Sequence, residues 1–151
     1  FTPKLKFEAF LYASNFSLGV NIFFAINEKL AQLMAQYKQY DVSLSEIHHI
    51  QKLDAPSGTA ITLAEGILPY VDKNTWALEE DAKEIDLTIR AERMADVPGT
   101  HTVDYNSETD KISIEHIAHN RDGFALGSVV AAEWLNGKSG IFTMKDVINI
   151  T

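Results

Sequence analysis

The chain has 151 residues, of which 46% are hydrophobic, enough for one domain with a substantial core. Its formal net charge of −8 at pH 7 argues against a general nucleic-acid binder, a class that needs a basic face. It has no cysteine, which excludes a disulfide scaffold, and no apolar run near the roughly 20 residues of a membrane-spanning helix. With an amino-terminal stretch that lacks a long apolar region, these features lead us to expect a cytoplasmic protein with no membrane and no nucleic-acid partner.

In chain order, residues 1–7 read as a leader, and Glu8–Ala13 carries the apolar run Ala9, Phe10, Leu11 and Tyr12 of a strand. Ser14, Asn15 and Ser17 supply capping chemistry. Phe23, Ile26, Leu30 and Leu33 then recur at helical spacing, widened by Phe24 and Met34, and predict a long helix over 18–39. Val42 and Leu44 alternate with polar residues over Asp41–Ile47, a short strand. After a charged loop, Pro56 keeps Ala55 out of the helical region and Ser57 caps a second helix. Ala60, Leu63, Ala64 and Ile67 carry that helix, and Pro69 ends it near Leu68. The acidic stretch 71–83 has no period and reads as a surface connection. Ile85, Leu87, Ile89 and Ala91 alternate with Asp86, Thr88, Arg90 and Glu92, the pattern of a half-buried strand. Asp96–Gly99 is a turn. Residues 100–105 and 111–118 are two strands joined as a hairpin through Asn106–Asp110. A turn at Asn120–Gly123 leads to a helix over 124–136, stopped by Gly137, and 140–150 is a closing segment. The pattern predicts an α+β fold, a mixed, mostly antiparallel sheet with helices packed on one face.

The densest chemistry lies between His48 and Thr59, where a strand ends, a charged loop follows and a helix begins. Backbone N–H groups of Gly58 and Thr59, the Ser57 and Thr59 hydroxyls and the helix dipole together make an anion site. His48, His49 and Lys52 stand just upstream. That set suits a substrate that carries carboxylate and needs a proton. Singly, each feature is commonplace: a cap, a structural histidine pair, a solvated lysine. Their coincidence in one short stretch singles it out. No metal site is predicted. Adjacent histidines on a strand point to opposite faces, His116 and His119 differ in parity, and no metal-ligand spacing is present.

His48-His49-x-x-Lys52-x-Asp54-x-Pro56-Ser57-Gly58-Thr59 resembles the signature of the dihydrodipicolinate reductase family. Ala13-Ser14-Asn15-Phe16-Ser17-x-Gly19-Val20-Asn21 resembles the family's Asn-Phe-Ser stretch, where a nucleotide domain hands over to a substrate domain. A looser third block is Arg121-x-x-Phe124, a helix with Trp134-Leu135, and Gly140-x-Phe142-x-Met144-x-Asp146-Val147. The resemblance implies NADH- or NADPH-dependent reduction of a cyclic, unsaturated dicarboxylate derived from 4-hydroxy-tetrahydrodipicolinate, in lysine and diaminopimelate biosynthesis. It implies His48 and Lys52 as the acid–base pair, with Lys52 the favoured proton donor. His49, Ser57, Gly58 and Thr59 would hold the substrate. Ala13, Ser14, Asn15 and Phe16 would border the nicotinamide, with Arg121 and Phe124 near the cofactor. Asp54 either orients Lys52 or caps the loop. Residues 1–13 are expected as a leader and junction strand, and 14–151 as a substrate-binding, catalytic and oligomerising domain that forms a homotetramer through its sheet. The sequence holds no G-x-G-x-x-G, so the nucleotide-binding half is expected to be absent and the chain alone inactive. The alternative is a catalytically inactive dicarboxylate-binding or scaffold domain of the same fold.

Overall fold

A computed structural model describes residues 8–150. The leader expected at 1–7 lies outside the described residues. The elements are β1 (Ala9–Tyr12), α1 (Leu18–Met34), β2 (Asp41–His48), α2 (Gly58–Ile67), a 3-10 turn (Leu68–Tyr70), β3 (Trp76–Leu78), β4 (Leu87–Arg93), β5 (Gly99–Asn106), β6 (Lys111–Ala118), α3 (Asp122–Leu135), β7 (Gly140–Thr143) and α4 (Met144–Val147).

The five-stranded sheet runs β3-β4-β2-β5-β6, with β2 at its centre. It is mixed, as expected. The long ladders β2–β5 and β5–β6 are antiparallel, whereas β4 lies parallel to β2 and β3 parallel to β4. The parallel pairing follows from the chain between β2 and β4, which is long enough to hold α2 as a crossover. Val42, Leu44, Leu87, Ile89, Val103 and Tyr105 point to one face of the sheet, where α1 and α2 cover them with Phe23, Ala31, Met34, Leu63 and Ile67. The Asn27 side chain ties the two helices by donating to the Leu63 carbonyl at 3.0 Å. The other face carries Thr102 paired with Glu115, and Asp104 paired with Ser113. A sheet apolar on one side and polar on the other is what period-2 alternation specifies.

Several details differ from the sequence expectation, α3 among them, which begins at Asp122 inside the expected turn. α1 stops at Met34 rather than running to 39, because its apolar stripe lapses there; the Tyr37 amide instead closes a turn on the Met34 carbonyl at 2.8 Å. β4 begins at Leu87, not Ile85. Ile85 is 52% exposed, and Asp86 accepts the Lys83 amide in a turn. The stretch read as a surface connection contains β3, whose Trp76 packs against the core. β1 and β7 form a separate parallel pair from Ala9↔Gly140 to Tyr12↔Thr143. α3 is stopped near Gly137 as expected, with a left-handed φ of 73° there.

Candidate functional site

The inward side of β2 changes character along its length. Val42 and Leu44 enter the core, and the next two inward positions are Glu46 and His48. Register places His101 of β5 opposite Glu46 and Arg93 of β4 opposite His48. Glu46 is fully buried. Its two oxygens accept the Ser57 amide at 3.1 Å each. His48 Nδ1 and His101 Nε2 each lie 3.6 Å from the carboxylate, and Arg93 Nη1 lies 3.5 Å from it. Burial would raise the Glu46 pKa, but hydrogen bonds from His101 and Ser57 and the neighbouring His48 outweigh it and hold it at about 2. Burial pushes the His48 imidazole the other way, down to about 4, in spite of Glu46 beside it. His48 is therefore neutral at pH 7. Glu46, His48 and His101 bring three donor atoms within 4.8 Å of one another, a grouping the sequence argument on His48 and His49 did not foresee. Glu46 already faces an amide and a guanidinium, so its charge is answered within the protein.

Ser57 caps α2 as expected, its Oγ accepting the Ala60 amide at 3.1 Å and lying 3.2 Å from His101 Nε2. The Gly58 and Thr59 amides occupy the first helical turn, whose N–H groups have no intrahelical acceptor. Between this turn and the end of β2, Lys52 Nζ sits 2.7 and 2.8 Å from the Asp54 carboxylate. Asp54 thus has the contact with Lys52 that an orienting role requires.

A cavity of about 820 Å³ opens here. It is lined by His48, His49, Lys52, Ser57, Gly58 and Thr59 from the signature stretch, by Ser14, Asn15 and Phe16, and by Arg121 and Phe124. Every site residue expected from sequence is thus gathered, save Ala13. Ala13 lines a neighbouring, more apolar cavity of about 620 Å³ between α1, α2 and α4. The Asn15 side chain pins its segment to the α2 start, donating to Thr59 Oγ1 at 3.1 Å and accepting the Ser17 amide at 2.8 Å. Arg121, placed with the cofactor residues on sequence grounds, reaches His49 Nε2 at 2.9 Å. A guanidinium only donates, so that nitrogen of His49 carries the lone pair. Sequence reasoning missed Glu46, Arg93 and His101. Glu46 left one signal, a carboxylate at the inward parity of a half-buried strand; the other two are brought in by strand register alone.

The fold and the cavity define an α+β domain whose charged loop after β2 faces a helix N-terminus, the class of site that takes a small anion. Residues 19–148 match the family described as "Dihydrodipicolinate reductase, C-terminus". The chain belongs to that family. It is similar to the protein named 4-hydroxy-tetrahydrodipicolinate reductase from Christiangramia forsetii, 58% identical over 147 residues, 97% of this chain and 61% of the relative. The protein of that name from Aquifex aeolicus is 40% identical over 145 residues, 93% of this chain and 54% of the relative. The one from Methanosarcina mazei is 38% identical over 140 residues, 90% and 52% respectively. The chain therefore spans roughly half to three-fifths of the length of these relatives. Its fold is also that of a structure titled "Dipicolinate bound Dihydrodipicolinate reductase from Paenisporosarcina sp. TG-14", with a TM-score of 0.64 and 24% identity, covering 93% of this chain and 54% of that one. Among the described residues, no helix is long and apolar enough to cross a membrane.

Proposed function

We propose that the chain is the substrate-binding and catalytic half of a cytoplasmic, NADH- or NADPH-dependent 4-hydroxy-tetrahydrodipicolinate reductase of lysine and diaminopimelate biosynthesis. What carries this reading is the convergence of Lys52, His48, His49 and the α2 start on one cavity, in a chain of the dihydrodipicolinate reductase family. A planar ring dicarboxylate has two charges to satisfy. The Gly58 and Thr59 amides with the Thr59 hydroxyl suit one carboxylate, and Arg121 with His49 suits the other. Hydride addition to a conjugated imine leaves an electron-rich enamine that must take up a proton. The Lys52 ammonium is the donor, and neutral His48 beside it takes part in the proton's transfer. Bound nicotinamide would supply the hydride. Phe16, Phe124 and the Ser14–Asn15 segment fit the ring end of that cofactor, forming one wall of the cavity. The described residues contain no glycine-rich turn for its pyrophosphate.

The polar sheet face, with Ile117 53% exposed beside Thr100, supports assembly of copies through the sheet, which the family resemblance makes a homotetramer. Light scattering that reads a monomer at micromolar concentration would refute the tetramer.

Calorimetry on the 151-residue chain tests the site. Pyridine-2,6-dicarboxylate, a planar mimic of the substrate, is expected to bind weakly, and NADH barely at all. Joined to a nucleotide-binding half from the Christiangramia relative, the chain is expected to turn over. Lys52→Ala and His48→Ala should then each lower kcat by roughly two to four orders of magnitude. No binding of the dicarboxylate near pH 6, or wild-type turnover in the double variant, would overturn the reading.

A further inference from the structure

Arg93 and Glu46 lie behind the loop that carries Lys52, and neither is among the residues that line the cavity. Arg93 Nε donates to the Lys52 carbonyl at 3.2 Å, and Nη2 donates to the Asp54 carbonyl at 2.6 Å. Nη1 donates to the Glu92 carbonyl at 2.8 Å and faces Glu46 Oε1 at 3.5 Å. The same carboxylate accepts the Ser57 amide with both oxygens. One charge pair, a buried carboxylate and a partly buried guanidinium, therefore grips the loop at both ends, at 52 and 54 through the guanidinium and at 57 through the carboxylate. A pair of this kind with its carboxylate buried is weak evidence for stability, because apolar side chains of similar volume often serve as well. Its distinctive property is direction. A guanidinium presents five N–H groups in a fixed plane, so it can set the relative orientation of two carbonyls, which an ammonium on a flexible stem cannot.

We propose that Glu46 and Arg93 are positioning residues, holding the loop from Lys52 to Ser57 in the conformation that aims the Lys52 ammonium and the α2 amides into the same cavity. The proposal rests on the reading of Lys52 as the proton donor. The Lys52 side chain bonds to Asp54 of its own loop, so its direction is that of the backbone that Arg93 grips. A dicarboxylate needs the ammonium and the amides at one separation. If the loop reaches that geometry only part of the time, apparent affinity falls by the same fraction.

The test compares the wild-type 151-residue chain with Arg93→Ala, Arg93→Lys and Glu46→Gln. Three readouts are taken: backbone NMR relaxation along the Lys52–Ser57 loop, calorimetric titration with pyridine-2,6-dicarboxylate, and thermal unfolding. Arg93→Ala is expected to loosen the loop amides, leave those of β2 and β5 unchanged and weaken the dicarboxylate roughly tenfold. Millimolar guanidinium should restore both. Arg93→Lys, which keeps the charge without the fork, should resemble Arg93→Ala, and Glu46→Gln should loosen Ser57 first. Loop amides as rigid in Arg93→Ala as in wild type, with affinity within about twofold, overturn the proposal. General loss of order that guanidinium does not restore also overturns it, since that is the mark of a purely structural pair. If Arg93→Ala does not fold, Arg93→Lys decides by the same criteria. If the loop loosens as expected but the wild-type chain does not bind the dicarboxylate, the clamp stands and the catalytic reading of the cavity falls.

Discussion

His48 and Glu46 sit side by side in the core with opposite preferences for charge, and both hold fewer protons in the folded chain than in the unfolded one. For His48 this is true between its ordinary value of 6.5 and about 4, and for Glu46 between 4.5 and about 2. Wherever the unfolded chain binds more protons, stability falls as pH falls. The protein should therefore be at full stability above pH 6.5, lose stability first through the His48 window and then through that of Glu46. The His48 share is on the order of 3 kcal/mol at most. Denaturant unfolding at about pH 7, 5 and 4 reads this slope, and His48→Gln should flatten its upper part. A wild-type stability unchanged from pH 6.5 to 4 would mean that His48 is not held neutral. At this scale the sequence was legible where chemistry is local. His48, His49, Lys52 and Ser57–Thr59 are close neighbours in the chain and stay together in the fold. Arg93 and His101 were not legible, because the register of β4 and β5 brings them to the site, and no spacing within one segment records register.

Among the elements, α3 packs most tightly on the Phe16 wall of the site. A Cβ built on Gly127 would lie 1.8 Å from the Phe16 carbonyl oxygen, so α3 packs directly on the backbone that borders the cavity. Two effects oppose each other in Gly127→Ala. Helix propensity favours alanine by about 1 kcal/mol. Overpacking typically costs about 1–3 kcal/mol, and here the obstacle is backbone, which yields least. Destabilisation should win, and pyridine-2,6-dicarboxylate should bind more weakly, because Arg121 and Phe124 ride at the start of α3. Thermal unfolding and calorimetry measure the two effects; a variant as stable as wild type would show that α3 can shift freely. The long elements were legible from their periods. β3 was not, because a three-residue edge strand is too short to show alternation. The far end of α1 was overrun because helix-compatible residues continue past Met34 after their burial ends.

On the scale of the molecule, the class of fold was legible and its wiring was not. Alternating segments announce strands, and the helix between β2 and β4 hints at a parallel crossover, but nothing in one segment says which neighbour it will choose. The pairing of β1 with β7 is the extreme case, since it joins the two ends of the described chain. Closing so long a loop costs entropy that only four residue pairs, Ala9↔Gly140 to Tyr12↔Thr143, are there to repay. The seam should therefore form late in folding and open early, well before the β2–β5 ladder parts. Ser14, Asn15 and Phe16 follow β1 directly, so one wall of the cavity is continuous with this short seam, held otherwise by Asn15 on α2 and by α3 on Phe16. Amide hydrogen exchange should find β1 and β7 exchanging far faster than β2 and β5, and equal protection would contradict this. Such a seam makes the cofactor-side wall a door on a weak latch, its opening rate set by a short ladder between the first and last strands rather than by the loop that carries Lys52.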